Sequence, residues 1–471
     1  MKLGVTVIAL LMVSLTLAQG VWTRAEVCDL GNTVYRLRVA DARGDGRDRV
    51  YCGTRSGSVY ELSYERGAWV TREIGNVPNI AYDLVVAAGR GDRVQRVYVP
   101  CKNGHTYEFS YGRAGWSRID MGGTNGGADM DQVGFGCGRN DGVMRGYVTL
   151  DNGHIWEFTW TDRSWVGLDI GRFADQLLDV SVGRTAHDDM THLYVSSQAG
   201  ALYEVTWTRD GWRRSLVDQF RSPRAAWGIE LGRVTALGRP DNPDRAELDE
   251  IPGLDLFVTA ESEERVFRYR WHRDGWRRTT VGTAGFSGGD ICLGPGRSDR
   301  AIRLYQSSKD AHIYEFTLRN GRWHTSDIGS CEPTGGMGVT VGAGRGDRVR
   351  RVYACSPDGP VVEFTYARPD DTPCEDEPGE AADALTATPN PFSGPTVLCG
   401  TRELAASARA KVVDSNGRLV RTISADQLPD GRLSWRWDGT DESGRRPPSG
   451  CYFCVVQAGS GTVRRRLQLL P

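Results

Sequence analysis

Apolar and polar side chains alternate along most of this chain with the two-residue period of half-buried β-strands. Val97 and Val99 show this alternation, and so do Tyr107, Phe109 and Tyr111. Each unit consists of a short β-run, a Gly turn, an aromatic–Glu–aromatic triplet and then Gly-x-Trp or a close variant. A sustained 3.6-residue period is missing from this region. The pattern therefore predicts an all-β protein.

The unit recurs about every 48 residues, which is the signature of a repeat architecture. Strand-only repeats of this length are typical of β-propellers, so the chain is predicted to form a seven-bladed β-propeller. A longer fourth step contains an insertion, 232–254, rich in Pro, Asp and Arg, and is predicted to be a surface loop. The aromatic residue that ends the first run marks the seven copies: Tyr51, Tyr98, Tyr147, Tyr194, Phe257, Tyr305 and Tyr353.

The two ends of the repeat region complement each other. The seventh copy runs through 361–366 and stops without its Trp strand, whereas Trp22–Gly31 resembles the Trp strand at Trp116–Gly122. We therefore expect the first segment to pair into the last blade. Such closure would remove exposed sheet edges, which otherwise pair with other chains.

Composition divides the chain into four parts. Residues 1–18 have the charge and apolar run of a secretory signal peptide, and 21–368 hold the propeller repeats. An acidic, Pro-rich linker follows at 369–384, and 385–471 breaks the repeat pattern. With 58 basic and 60 acidic residues, the chain has no basic field for nucleic acid. We also expect no membrane span after signal removal.

The C-terminal part has short strands separated by Asn-Gly and Asp-Gly turns, which predicts a small Ig-like β-sandwich. Its motifs include 389–392 (Pro-Asn-Pro-Phe), 435–441 (Trp-Arg-Trp-Asp-Gly-Thr-Asp) and a basic run at 464–466. This pattern resembles the sorting domain of type IX secretion cargo and the Ig-like domain of flagellar hook-capping proteins. The resemblance implies a Gram-negative protein, secreted or held at the outer cell surface, with the type IX machinery as a partner. An accessory β-sandwich without a sorting role is the alternative.

Three positions recur within the repeats and form the candidate ligand site. They are an Arg two residues before the marker aromatic, a Glu twelve residues after that Arg, and an aromatic pair five residues apart that ends in a Trp. Two interpretations remain open: a repeated ion pair that ties strands or blades together, or a sugar site. The candidate residues are Arg49, Glu61, Trp69, Arg96, Glu108, Trp116, Arg145, Glu157, Trp165, Arg303, Glu315, Trp323, Arg351 and Glu363.

These repeats resemble those of fucose-binding propeller lectins, for example at 302–305, 313–315 and 322–323. The resemblance implies that Arg and Glu hydrogen-bond sugar hydroxyls while aromatic rings stack on the sugar. Three features depart from it: seven copies where those lectins have six, His192 in the fourth copy, and Asp255 with Arg268 in the fifth. The length of the turn at Asn103-Gly104 decides whether the Arg and the Glu of one copy can act on the same ligand. A two-residue turn would place Arg96 and Glu108 on opposite faces, whereas a three-residue turn with a Gly bulge would bring them together.

Other chemistries are not supported by the residues. The loop 41–48 resembles the calcium loops of integrin-α-like propellers, but Arg43 stands where a third-position oxygen ligand is needed, so no metal is predicted. Three Arg-Gly-Asp segments share one repeat position and are interpreted as a repeated turn. We found no catalytic triad, phosphate loop or cofactor motif.

The sequence thus predicts an exported, non-catalytic binding protein whose propeller engages a surface ligand, glycans being one class. A protein-interaction scaffold without a sugar site is the alternative, with 241–249 of the insertion as a candidate contact. A propeller glycosidase is a further alternative that the residues favour less.

Overall fold

The computed structural model describes residues 20–124, 128–185, 188–220, 226–235, 237, 254–285, 289–331, 335–367, 385–388, 395–400, 409–414, 418–427, 433–448, 450–458 and 461–469. The chain divides into two compact units, of which one is Gly20–Ala367 and the other falls within Arg368–Pro471. The predicted signal peptide (1–18), the linker (369–384) and the predicted contact segment (241–249) lie outside the described residues.

The first unit consists of seven antiparallel four-stranded sheets, which confirms the predicted seven-bladed propeller. Blade 1 contains β2 (Val34–Ala40), β3 (Arg49–Thr54), β4 (Ser58–Glu65) and β5 (Ala68–Asn76), and blade 2 contains β6 (Val85–Ala87), β7 (Arg96–Cys101), β8 (His105–Gly112) and β9 (Gly115–Gly123). Blade 3 contains β10 (Met130–Gly136), β11 (Arg145–Leu150), β12 (His154–Trp160) and β13 (Trp165–Arg172), and blade 4 contains β14 (Leu177–Gly183), β15 (His192–Ser197), β16 (Ala201–Thr208) and β17 (Gly211–Gln219). Blade 5 contains β18 (Ala226–Gly232), β19 (Asp255–Ala260), β20 (Arg265–His272) and β21 (Gly275–Thr283). Blade 6 contains β22 (Ile291–Gly294), β23 (Arg303–Ser307), β24 (His312–Arg319) and β25 (Arg322–Ser330). Blade 7 contains β26 (Gly338–Gly342), β27 (Arg351–Cys355), β28 (Val361–Ala367) and β1 (Val21–Cys28).

Each blade presents its strands from the axis outward in the order given above, because the first strands of neighbouring blades lie against each other. This is chain order in blades 1 to 6, whereas in blade 7 β1 takes the outermost place. Antiparallel pairing then fixes which turns share a face of the ring. We call the face with the turns between second and third strands, and with the blade-to-blade connections, the upper face. The lower face holds the turns between first and second strands and between third and fourth strands.

The marker aromatic residues form the centres of the blade cores. Tyr98 is fully buried and packs with Met130, Val133 and Val148 of blade 3, so its ring joins two blades. Burying one such side chain stabilises the fold by about 1.5–3 kcal/mol. The other six marker positions are equally buried: Tyr51, Tyr147, Tyr194, Phe257, Tyr305 and Tyr353.

The ring is closed as the sequence predicts. Strand β1 pairs with β28, with Trp22 opposite Tyr366 and Arg24 opposite Phe364. Trp22 also meets Tyr305 of blade 6 edge to face, with ring centroids 6.4 Å apart. The beginning of the described chain therefore supplies the outermost strand of the last blade.

The second unit is an Ig-like domain, as predicted. Strand β32 pairs with β31 along its first half and with β33 along its second half, so it passes from one sheet to the other. Trp435 and Trp437 on one sheet pack with Val412 and Cys454 on the other in a shared core. The strands are β29 (Leu385–Thr388), β30 (Thr396–Gly400), β31 (Arg409–Asp414), β32 (Leu419–Gln427), β33 (Leu433–Trp437), β34 (Gly450–Ala458) and β35 (Gly461–Leu469).

Helical structure among the described residues is limited to one 3₁₀ turn, Glu261–Glu263. Within the same residues, no helix has the length and apolar character needed to cross a membrane.

Candidate ligand sites

The turn between β7 and β8 decides how the candidate Arg and Glu of blade 2 are arranged. Cys101 pairs with His105, so three residues form the turn, and Gly104 adopts a φ of 81°. Glu108 lies opposite Tyr98, two residues beyond Arg96, which places the Arg and the Glu on one face of the blade. The structure thus selects the three-residue alternative.

The Glu108 carboxylate is fully buried and lies among hydrogen-bond donors of its own fold. Arg90 Nε donates to it at 2.9 Å, Ser110 Oγ at 2.7 Å, and Trp165 Nε1 of blade 3 at 3.0 Å. The second bond from Arg90 makes this a two-pronged guanidinium–carboxylate pair. Arg96 Nε is farther away, at 3.6 Å.

Arg96 itself is bound by Asp92, through Nη1 at 2.8 Å and Nη2 at 2.6 Å. This hydrogen bonding lowers the pKa of Asp92 to about 2. The same arrangement lowers the pKa of Asp45 and Asp141 to about 2. The corresponding pairs in the other blades are Arg49–Asp45, Arg145–Asp141, Arg303–Asp299 and Arg351–Asp347.

The arginine that clamps each Glu was missed in the sequence analysis. In five blades it stands 18 residues before the Glu, in the turn between first and second strands, and in three of them it is the Arg of Arg-Gly-Asp. That constant spacing was the available signal. Each guanidinium also lies over an aromatic ring of the next blade: Arg43 over Tyr111, Arg90 over Trp160, Arg139 over Trp207, Arg297 over Tyr366 and Arg345 over Tyr64, at 3.6 to 4.6 Å from the centroid.

Blade 5 has the same pair with its charges exchanged. Arg268 Nη2 lies 2.7 Å from Asp255 Oδ2, at the positions where the other blades have Glu and Arg. In blade 4 His192 replaces the Arg and contacts Asp188 at 2.9 Å. An ion pair that ties two strands tolerates such an exchange, whereas a site built to donate to one ligand does not.

The candidate Trp residues connect blades. Each meets the marker aromatic of the preceding blade edge to face, at 5.9 to 6.2 Å between centroids, and this geometry favours aromatic packing. The contacts made by candidate residues are Trp69–Tyr353, Trp116–Tyr51, Trp165–Tyr98 and Trp323–Phe257.

One candidate residue lines a crevice. Arg49, with Arg47, Tyr64, Glu65 and Arg345, borders a space of about 310 Å³ between blades 7 and 1 on the lower face. The fourteen candidate residues thus lie in blades 1, 2, 3, 6 and 7, and in each of these blades Arg and Glu share a face as the lectin resemblance requires. Their charged groups are bound by other residues of the propeller.

A second cavity, which we call the upper mouth, opens on the upper face at the axis. It has a volume of about 300 Å³ and is lined by residues of blades 2 to 6. The lining contains two aromatic rings, Tyr82 and Trp227, and the amides of Gln132, Gln176 and Gln198. The sequence analysis did not identify these residues.

Two lysine–carboxylate pairs complete the upper mouth. Lys102 contacts Asp131, and Lys309 contacts Glu261. Each ammonium group lies near an aromatic ring, Lys102 at 4.5 Å from the Tyr82 centroid and Lys309 at 5.4 Å from that of Trp227. Burial raises the pKa of Asp131 to about 6.

Charged side chains from three blades meet at the axis beneath the upper mouth. Arg36 of blade 1 lies 3.9 Å from Asp83 of blade 2 and 3.6 Å from Asp290 of blade 6. The Gln132 amide fits between them, with its nitrogen 3.0 Å from Asp83 and its oxygen 3.1 Å from Arg36. The floor of the mouth is therefore a satisfied polar network.

Two further acids at the axis, Asp179 of blade 4 and Glu230 of blade 5, have raised pKa values. Burial raises the pKa of Asp179 to about 7 and that of Glu230 to about 8. Asp179 accepts a hydrogen bond from the Ile229 amide of blade 5 at 2.8 Å, and Asp83 accepts one from the Val133 amide of blade 3 at 3.2 Å. Asp179 and Asp83 thus join neighbouring blades.

Comparison with known proteins separates the two units. Residues 398–462 match the family model of the FlgD Ig-like domain. A basal-body rod modification protein, FlgD, of Escherichia coli strain K12 is 33% identical over an alignment that covers 14% of this chain and 37% of the relative. The chain thus spans about a third of the length of that curated relative.

The chain is similar to BBS1N in two solved structures of its complex with ARL6DN. One, from a crystal soaked with lead, is 13% identical to this chain with a TM-score of 0.49, and the alignment covers 74% of this chain and 97% of the solved chain. The other, from a crystal soaked with mercury, is 14% identical with a TM-score of 0.47, and the alignment covers 75% of this chain and 99% of the solved chain. Scores of this size carry no argument about function.

Proposed function

We propose that the protein is an exported, non-catalytic binding protein whose propeller takes its ligand at the upper mouth. The observation that carries the proposal is the composition of this cavity. It combines half-exposed aromatic rings, amides and ion pairs in one concave site, which is the usual make-up of a ligand pocket. The propeller then serves as a rigid support for this site.

The blade positions support this choice. Their Glu side chains are buried and clamped by arginines, and their Arg side chains are bound by Asp. A sugar hydroxyl would have to displace these charge-assisted bonds, which are stronger than neutral ones. We therefore assign a structural role to the Arg/Glu/Trp positions, which hold the ring together. The function that we propose does not include glycosidase activity.

The Ig-like domain is proposed to direct export and attachment at the outer surface of a Gram-negative cell. Its match to the FlgD Ig-like domain and the motifs of the sorting domain support this role. A fluorescent protein that carries residues 1–18 at its N-terminus and 385–471 at its C-terminus is expected outside cells that possess the type IX machinery and inside cells that lack it. Retention in both would overturn the sorting role.

The binding role is tested with labelled full-length protein on an array that carries glycans and proteins together. We expect Gln198→Ala, in the upper mouth, to abolish the binding of the wild type. The control is Gln95→Ala, which removes the same exposed amide from the lower face and should leave binding unchanged. Equal binding by both variants would contradict the proposal, and so would a wild type that binds nothing.

A further inference from the structure

We infer that the upper mouth binds the terminal unit of a neutral carbohydrate. This inference rests on the proposed function, because it names the class of ligand for the same cavity. It concerns a single axial site and not the repeated blade positions that the lectin resemblance suggested.

The charges of the lining argue for a neutral ligand. Lys102 and Lys309 contribute two positive charges, and Asp131 and Glu261 contribute two negative ones, each within contact of its lysine. An anionic ligand would find both ammonium groups already paired, and a cationic ligand would find both carboxylates paired. A neutral ligand can hydrogen-bond to both pairs without separating them.

The hydrogen-bonding groups argue for a ligand rich in hydroxyls. The side-chain amides of Gln176 and Gln198, both in blade 4, bond to none of the residues that the structure describes. Each amide offers a donor and an acceptor side by side, and a hydroxyl also both donates and accepts. Adjacent sugar hydroxyls therefore satisfy these two amides, which an apolar ligand would leave unpaired at a cost.

The aromatic ring that a sugar would contact is Trp227. Its indole Nε1 donates to Glu261, which fixes the orientation of the ring. Tyr82 is less available, since Tyr35 packs against its ring at 5.1 Å and Lys102 lies closer to its centroid, at 4.5 Å, than Lys309 lies to that of Trp227, at 5.4 Å. The C–H face of a pyranose packs on such a half-exposed ring, while its hydroxyls reach the surrounding polar groups.

The size of the cavity limits the ligand to a terminal unit. A volume of about 300 Å³ lies at the lower end for ligand pockets. The Arg36–Asp83–Gln132 network blocks the axis beneath it. A polysaccharide therefore cannot thread through the ring, whereas its end can enter from the upper face.

The scarcity of lysine in this chain provides a direct test. Only Lys2, Lys102, Lys309 and Lys411 occur, so reductive ¹³C-methylation, which keeps the positive charge, yields few NMR signals. The full chain is titrated with the methyl glycosides of mannose, galactose, fucose and N-acetylglucosamine. Signals are assigned with Lys102→Arg, Lys309→Arg and Lys411→Arg. We expect at least one glycoside to shift the Lys309 signal, while Lys411, in the Ig-like domain, stays unmoved.

Matched variants complete the test. Gln176→Ala and Trp227→Phe should each weaken the affinity at least about tenfold, and Gln95→Ala should not change it. If triglycine amide shifts Lys309 and no glycoside does, the carbohydrate assignment is overturned while the binding role of the mouth stands. If a glycoside binds by calorimetry without moving Lys309, the location is wrong. If no probe of either class binds, both this inference and the proposed function fail.

Discussion

The buried Glu of each blade shows how one residue can decide between structure and recognition. Glu108 accepts hydrogen bonds from Arg90, Ser110 and Trp165, which belong to two blades. Burying a carboxylate is costly unless it is paired and fully hydrogen-bonded. The surrounding donors satisfy that requirement, so the carboxylate has a structural role.

Removing this carboxylate should strongly destabilise the propeller. Glu108→Ala leaves the Arg90 guanidinium without its buried partner, and breaking such a pair typically costs about 3–5 kcal/mol. The free energy of unfolding from urea titration measures the effect. The control is Glu65→Ala, which removes the exposed partner of Arg72 and should change stability by about 0–1 kcal/mol. Equal stability of the two variants would refute the structural role of Glu108.

The strand β1 is the element that closes the ring. It leaves no free edge on β28, and its Trp22 contacts both Tyr366 and Tyr305. Without β1, the last blade would have three strands where the other blades have four. Closure by the first segment therefore completes blade 7 and ties the two ends of the repeat region together.

Truncating Trp22 should weaken the whole propeller. Trp22→Ala removes two edge-to-face contacts and part of the blade 6–7 core, for which we expect a loss of about 3 kcal/mol. Thermal unfolding followed by near-UV circular dichroism measures it. Val21→Ala, an exposed position of the same strand, serves as the control and should unfold as the wild type does. A Trp22→Ala protein with an unchanged melting temperature would show that β1 does not secure the ring.

The elements were predictable because each repeat obeys a two-residue period and ends at a turn. The count of blades followed from Tyr51 to Tyr353, and the closure followed from the missing Trp strand. The arrangement of Arg96 and Glu108 was not predictable, since Asn103-Gly104 fits two turn lengths that reverse the face of every following side chain. Only the pairing of Cys101 with His105 resolved it.

The upper mouth was not predicted because it has no repeated motif. Four of its residues occupy the position four after the marker aromatic, where the chain has Arg55, Lys102, Asp151, Gln198, Glu261, Lys309 and Pro357. A turn position that varies in this way within a regular repeat is not fixed by packing. Its side chains can therefore serve ligand binding in some blades. The two lysines of the propeller fall there, and their rarity in an arginine-rich chain was the available signal.

The charged axis gives the whole molecule a pH-dependent stability. The pKa of Asp179 is about 7 and that of Glu230 about 8, against roughly 4 in an unfolded chain. Between these values the folded state holds more protons than the unfolded state, so stability falls as the pH rises. Arg36, Asp83 and Asp290 face Asp179, and Arg38 faces Glu230.

Urea titrations at pH 6 and pH 8.5 should therefore show a less stable protein at the higher pH. Each acid contributes a slope of at most about 1.4 kcal/mol per pH unit. Asp179→Asn should reduce the slope, whereas Asp45→Asn should not, because the pKa of Asp45 is about 2 and lies outside this range. An unchanged slope in Asp179→Asn would show that this acid does not titrate in the interval.

The central claim is that the blade positions hold the ring while the upper mouth binds the ligand. Calorimetric titration of two double variants with the four methyl glycosides tests it most directly. Gln176→Ala/Gln198→Ala removes the free amides of the mouth, and Arg47→Ala/Glu65→Ala alters the crevice between blades 7 and 1. We predict that the first variant loses affinity at least about tenfold and that the second binds as the wild type does. Loss of binding in the second variant alone would contradict the account.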